Sequence, residues 1–213
     1  FKRTIIIFLL GYLMYWFPFF HHDETGHLVL KPISHTRIFG VLQRIALCYF
    51  FGALIVKYFS IRTSIIISII LLFGYWALLY IFGAPGQELD IYGNAGSQLD
   101  IFLIGNNHMY INHGGTSATD PEGLLSTLPA IVNVVAGYVA GVFIQRKGKN
   151  FETIAKLFIG GSLLVFAALF WSQFFPFAKK LWTSSFVFLT VGIDLMLLAL
   201  LIYLIEIKTR DEF

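Results

Sequence analysis

Six stretches of this sequence are long and apolar enough to approach the length of a bilayer crossing, and they leave little chain for anything else. A helix needs ~20 mostly apolar residues to traverse the hydrocarbon core. Residues 4–20, 40–59, 62–83, 124–145, 153–175 and 183–207 are the candidates. The share of charged residues, 13%, is about half that of a soluble domain, and 57% of residues are hydrophobic. The expected architecture is all-α: one polytopic transmembrane helix bundle over residues 1–213, with about six spans and an outer loop region at 84–123.

The net charge of +3 does not suggest nucleic acid, because the basic residues sit at the ends of apolar runs rather than in one stripe. They report orientation instead. Residues 84–123 contain Glu88, Asp90, Asp100, Asp120 and Glu122 and no Lys or Arg, whereas Arg146, Lys147 and Lys149 crowd the next connection. The positive-inside rule then places 84–123 outside, 146–152 inside and both chain ends in the cytoplasm. All six histidines fall in the two outer connections. The chain does not open on Met, and Phe1-Lys-Arg3 enters the first apolar run without a signal-peptide cleavage site. The expectation is a middle segment of a larger membrane protein. Cys48, the single cysteine, is expected to pack inside a span.

Polar residues within so apolar a chain are the candidates for chemistry. Asp120-Pro-Glu-Gly-Leu-Leu-Ser-Thr-Leu-Pro129 has the grammar of a helix start, with Asp as N-cap and Pro in the first turn. Ser126 and Thr127 lie one turn deeper, and Pro129 is expected to free a carbonyl at membrane depth. Arg37, Gly40 and Arg44, where the second span begins, are expected on one helical face at three- and four-residue spacing, with Gln43 beside Arg44. An arginine at the depth of Arg44 needs an acid, such as Asp100, Asp120 or Glu122, or an anionic ligand. His108 and His113 are five apart, not at the spacing of a helical zinc pair, so no metal is expected. Asn106, Asn107 and His108 are read as part of a short element folded onto the membrane surface, and 112–115 as its loop. Ser126, Ala130, Asn133, Gly137 and Gly141 share a face expected to be buried against another helix. Asp194, near the middle of the last span, suits an interhelical hydrogen bond or a transport role.

RIFGVLQRIALCYF (37–50), LDIFLIGNNHMY (99–110), DPEGLLSTLPAIVNVVAGYVAG (120–141) and KKLWTSSFVFLTVG (179–192) resemble, in order, blocks of the heparan-α-glucosaminide N-acetyltransferase family. The resemblance is strongest to its shorter bacterial members, labelled NagX-like or DUF5009. It implies a multi-pass acyltransferase, in a bacterial inner membrane, that moves acetyl from acetyl-CoA to the amine of a glucosamine-type sugar or glycan on the far side. The family's catalytic histidine follows an asparagine in the first outward connection, and no residue here matches it. This chain by itself is therefore expected to be inactive.

Acyl transfer to an amine needs a base and donors for the developing oxyanion. Asn106, Asn107, His108, Asp120, Glu122, Ser126 and Thr127 are the candidates for the acceptor, and Arg37, Gln43 and Arg44 for acetyl-CoA, since guanidinium matches phosphate. The other partners expected are the lipid bilayer and a second copy in a homodimer. The alternative reading is an amino-sugar transporter or permease, on the strength of Asp194, Pro129 and a polar outer vestibule.

Overall fold

The computed structural model describes residues 1–110 and 118–208, so His113 and the turn proposed at 112–115 lie outside the described residues. The fold is all-α with one small hairpin. Five helices are long and apolar enough to cross a membrane: α2 (Val41–Tyr58), α3 (Ile61–Phe82), α5 (Thr127–Lys147), α6 (Phe151–Trp171) and α7 (Ser184–Ile202, continuing in a wider turn to Lys208). The expected first span is a shorter helix, α1 (Lys2–Trp16), of 15 residues. It stops before residue 20 because Pro18 cannot continue a helix. The residues beyond it form a two-stranded antiparallel hairpin, β1 (Phe20–His22) with β2 (Leu28–Leu30). Asp23 builds the tip, where its Oδ1 accepts from the Thr25 and His27 amides at 3.0 and 2.8 Å. Trp16 Nε1 donates to the Lys31 carbonyl at 2.9 Å and ties the hairpin's return to the end of α1.

The chain divides into two compact units. The first comprises Phe1–Phe51 and Ala77–Leu128, the second Gly52–Trp76 and Pro129–Phe213. In the first, α4 (Ala95–Ile104) is a short apolar helix capped by Asn94, whose side chain accepts from the Ser97 amide at 2.9 Å. Gly105, at φ +73°, ends it, a conformation that costs a residue without Cβ nothing. The expected short element at 100–110 is thus this helix plus one 3-10 turn over Asn106–His108.

In the second unit there is no water to drive helices together, so close packing and interhelical hydrogen bonds must hold them. α6 and α7 touch backbone to backbone: a Cβ on Gly161 would lie 2.6 Å from the Gly192 carbonyl, and one on Gly192 2.7 Å from the Gly161 carbonyl. Ser184 Oγ donates to the Leu72 carbonyl at 2.7 Å and Tyr75 Oη to that of Leu181 at 2.5 Å, joining α3 to the start of α7. Thr183 and Ser185, both fully buried, bond the Pro176 and Phe175 carbonyls at 3.0 and 2.5 Å. Asn133 of α5 accepts from Trp182 Nε1 at 3.1 Å and donates to Thr190 Oγ1 at 3.4 Å.

Two expectations about α5 need correction. The helix begins at Thr127, not 124, so Pro129 lies in its first turn, where the backbone N–H has no helical partner in any case. No carbonyl is freed at depth. The small-residue face is also only partly covered: Ser126 and Ala130 are buried, but Gly137 is exposed, and a Cβ at Gly137 or Gly141 would meet nothing within 4 Å. The glycines leave space that no described residue fills.

Candidate functional site

The polar cluster forms within the first unit, around the turn that precedes α5. Asp120 shapes this turn. Its Oδ1 accepts from the Glu122 amide at 3.0 Å, and its carbonyl accepts from the Gly123 amide at 3.1 Å. Asp120 therefore caps a separate turn ahead of the helix rather than α5 itself.

Arg37 lies in extended chain before α2, not on that helix. Its guanidinium grips the turn, with Nε donating to Asp120 Oδ2 at 2.9 Å and Nη2 to Asp120 Oδ1 at 2.6 Å and Glu122 Oε2 at 2.5 Å. Nη1 bonds Tyr15 Oη at 3.2 Å, and the rings of Tyr15 and Tyr110 each stand 5.0 Å from the guanidinium carbon. Burial works against the Arg37 charge, but the Asp120 bonds and negative charge outweigh it and hold the group protonated more firmly than usual. Burial also pushes the Asp120 carboxyl up, against the pull of Arg37.

Arg44, in the first turn of α2, approaches the same turn from below. Its Nη2 donates to the Pro121 carbonyl at 2.6 Å and to Ser126 Oγ. Ser126 and Thr127 in turn donate to the Gly123 carbonyl, each at 3.0 Å. Of the acids expected to neutralise Arg44, Asp120 and Glu122 bond Arg37 instead, and Asp100 interacts with Arg44 electrostatically. Gln43 is fully buried against Gly11 of α1, and neither amide atom has a hydrogen-bond partner among the described residues.

His108 joins the cluster through the Arg37 segment. Its Nδ1 lies 2.8 Å from the Thr36 carbonyl, and its own carbonyl accepts from the Ile38 amide at 3.0 Å. A carbonyl only accepts, so Nδ1 carries the proton and the neutral ring keeps its lone pair on Nε2. Asn106 and Asn107 are exposed beside it. The structure therefore gathers Arg37, Arg44, His108, Asp120, Glu122, Ser126 and Thr127 around one turn. Gln43 sits apart from this bonding, and Asn106 and Asn107 lie at the rim.

Four further residues, Ser97, Thr119, Tyr15 and Asp100, carry only a weak signal in the sequence. Ser97 Oγ and Thr119 Oγ1 are 2.9 Å apart and both donate to the Ile91 carbonyl at 2.7 Å, which pins the chain next to Asp120. Tyr15 looked like one aromatic among many in an apolar run. Asp100, anticipated only as a partner for Arg44, is 1% exposed, and its Oδ1 accepts from the Leu124 amide at 3.0 Å. Its Oδ2 has no hydrogen-bond partner among the described residues and occupies the place of a side chain on Gly123, where a Cβ would lie 1.8 Å away. Burial is the main force raising its pKa to about 7; Asp120 adds to it, while the Leu124 amide and Arg44 oppose. Among the described residues no group of three or more His, Cys, Asp or Glu is placed to hold a metal ion.

These features describe a multi-pass membrane protein with a buried ionic cluster around the turn that precedes α5. The chain is similar to two N-acetyltransferases. The chain is 25% identical over 230 aligned positions to heparan-alpha-glucosaminide N-acetyltransferase of Mus musculus, and 25% identical over 231 to that of Homo sapiens. Each alignment covers 84% of this chain and 35% of the relative, so the chain spans about a third of the length of the curated relatives it matches. No protein-family model matches it.

Two outcomes follow from the Asp100 contact. Gly123→Ala forces its methyl into Asp100 Oδ2, and thermal unfolding in detergent should show a loss of about 1–3 kcal/mol. Asp100→Ser in the same chain should recover part of it, whereas strictly additive losses would show that the contact is not the cause. Because the folded pKa of Asp100 lies above the unfolded 3.8, its contribution to stability is full below pH 3.8 and is lost as pH rises through about 7. The fall in melting temperature between pH 5 and 8 should therefore be smaller in Asp100→Asn than in the parent.

Proposed function

We propose that this chain forms part of the site of a membrane-bound acyltransferase that moves acetyl from acetyl-CoA to the amine of a glucosamine-type sugar on the far side of the bilayer. The observation that carries the reading is the similarity to two heparan-alpha-glucosaminide N-acetyltransferases over 84% of the chain. The polar cluster gives it chemical content. In the reaction the amine nitrogen attacks the thioester carbonyl, its proton passes to a base, and the tetrahedral intermediate expels CoA thiolate.

His108 Nε2 and Glu122 are the acceptor-side groups proposed to orient the amine and receive its proton, because Asp120 is fully engaged by Arg37. The Glu122 side chain is 22% exposed and that of Asp120 0%. Asn106 and Asn107 are proposed to bind sugar hydroxyls. Ser126 and Thr127, whose hydroxyls are bonded to the Gly123 carbonyl, act by holding the turn. On the donor side, Gln43 brings a buried amide with hydrogen-bonding capacity to spare and Arg44 brings positive charge, whereas Arg37 acts through the turn that it clamps. Far-side placement of the cluster rests on the charge asymmetry of the connections.

A transport reading is favoured by one observation: Asp194, mid-helix in α7, is exposed and makes no hydrogen bond or ion pair with a described residue. Membranes from cells making the complete gene product, given labelled acetyl-CoA and glucosamine, separate the two. The acyltransferase reading expects N-acetylated sugar, reduced about 10²-fold or more by His108→Ala if the imidazole is the base. Sugar accumulation in proteoliposomes without acetylation, across a range of amino-sugar acceptors, would sink it.

A further inference from the structure

The second unit contains a cavity of about 520 Å³ between α3, α5, α6 and α7. Its wall is almost wholly apolar, and the hydroxyl of Ser68, which also faces it, already donates to the Ser64 carbonyl at 2.9 Å. Leu72, Val135 and Val187, each at most 1% exposed, form its depth. Such a space takes apolar matter, because water needs about two to four polar partners and finds none there. The pantetheine arm of acetyl-CoA would likewise leave its amides unpaired.

One end of the cavity is shut and the other is open. The bond from Ser184 Oγ to the Leu72 carbonyl fixes the shut end beside the start of α7. There Trp171 of α6 stacks on Phe73 of α3 at 4.6 Å and meets Phe188 of α7 edge-on at 5.3 Å. Toward the start of α3 the wall thins, since Ile65 and Ile69 line the cavity and yet are 43% and 46% exposed. Lys156 stands at this mouth and pairs with Glu152 one turn back. Both of those side chains are half exposed or more, so the pair is weak and the ammonium is available to another anion. Arg62 lies three residues before Ile65 on the same stripe of α3. It is exposed and makes no hydrogen bond or ion pair with a described residue. The charge asymmetry of the connections places this mouth on the cytoplasmic side.

The dimensions select the occupant. The lining runs from Ile65 to Leu72 on α3 and from Val132 to Phe143 on α5, about 10 and 16 Å of helix. One leaflet of a ~30 Å hydrocarbon core is ~15 Å deep. A further helix, about 10–12 Å across, would need about 1,300 Å³ over the longer of these lengths, more than twice the space. We propose that the cavity holds one acyl chain of an anionic phospholipid from the inner leaflet, with its phosphate held by Arg62 and Lys156 at the mouth. The chain then ends beneath the Phe73–Trp171 stack, a leaflet's depth from the headgroup. A guanidinium and an ammonium at the headgroup level suit phosphate, and they favour anionic over zwitterionic lipid.

Native mass spectrometry of the complete gene product, released from nanodiscs of equal phosphatidylglycerol and phosphatidylcholine, reads the retained lipid. The parent should keep a phosphatidylglycerol in preference to phosphatidylcholine. Gly160 lines the cavity, and a Cβ there would meet nothing within 4 Å, so Gly160→Leu takes up room without a clash. It should lower the retained lipid about tenfold. Gly74→Leu, equally unobstructed but outside the lining, should leave retention unchanged. Arg62→Gln combined with Lys156→Gln should keep a lipid and reduce the headgroup preference about tenfold. No phospholipid retained by the parent, no headgroup preference in the parent, or equal retention in Gly160→Leu and Gly74→Leu would overturn the proposal.

Discussion

The grip of Arg37 on Asp120 and Glu122 joins segments 83 and 85 residues apart, and the polar cluster of the first unit is organised around it. A guanidinium with five fixed donors can hold two carboxylates and a phenol at once, which an ammonium cannot do in the same geometry. Because the Asp120 side chain is fully enclosed, the pair carries a desolvation cost that only good geometry offsets. The bidentate contact to Asp120, the Glu122 bond and the two flanking tyrosine rings together supply that geometry.

Arg44 works on the other face of the same turn, and Asp100 fills the space that Gly123 leaves empty. Two cations and three acids therefore meet around a few residues of main chain. The turn's backbone is bonded from both sides, to Arg44 at the Pro121 carbonyl and to Asp100 at the Leu124 amide. This arrangement keeps His108 and Glu122 at fixed positions beside it, a prerequisite for any transfer chemistry that depends on orientation.

Much of the fold was legible because lipid imposes a simple rule on sequence. Six spans were expected, and five helices are long and apolar enough to cross a membrane. α1 was misjudged at its end because the aromatic residues after Pro18 read as apolar span although they form a hairpin strand. The site was legible by type but not by pairing. Asp120-Pro-Glu-Gly and Arg44 stood out as polar groups in an apolar chain, yet nothing in their spacing said that Arg37 would take both acids. Asp100 and Tyr15 were obscure for a related reason: their roles come from contacts with residues 23 and 22 positions away, and no local periodicity encodes them.

The central claim is that one ion pair holds the cluster together, and a double-mutant cycle on Arg37 and Asp120 measures it directly. Unfolding in detergent should show Arg37→Ala losing about 3–5 kcal/mol, because it strands a buried carboxylate. The Arg37→Ala/Asp120→Ala pair should lose clearly less than the sum of the two single changes. Losses that add, or an Arg37→Ala cost within the scatter of a surface substitution, would contradict the account.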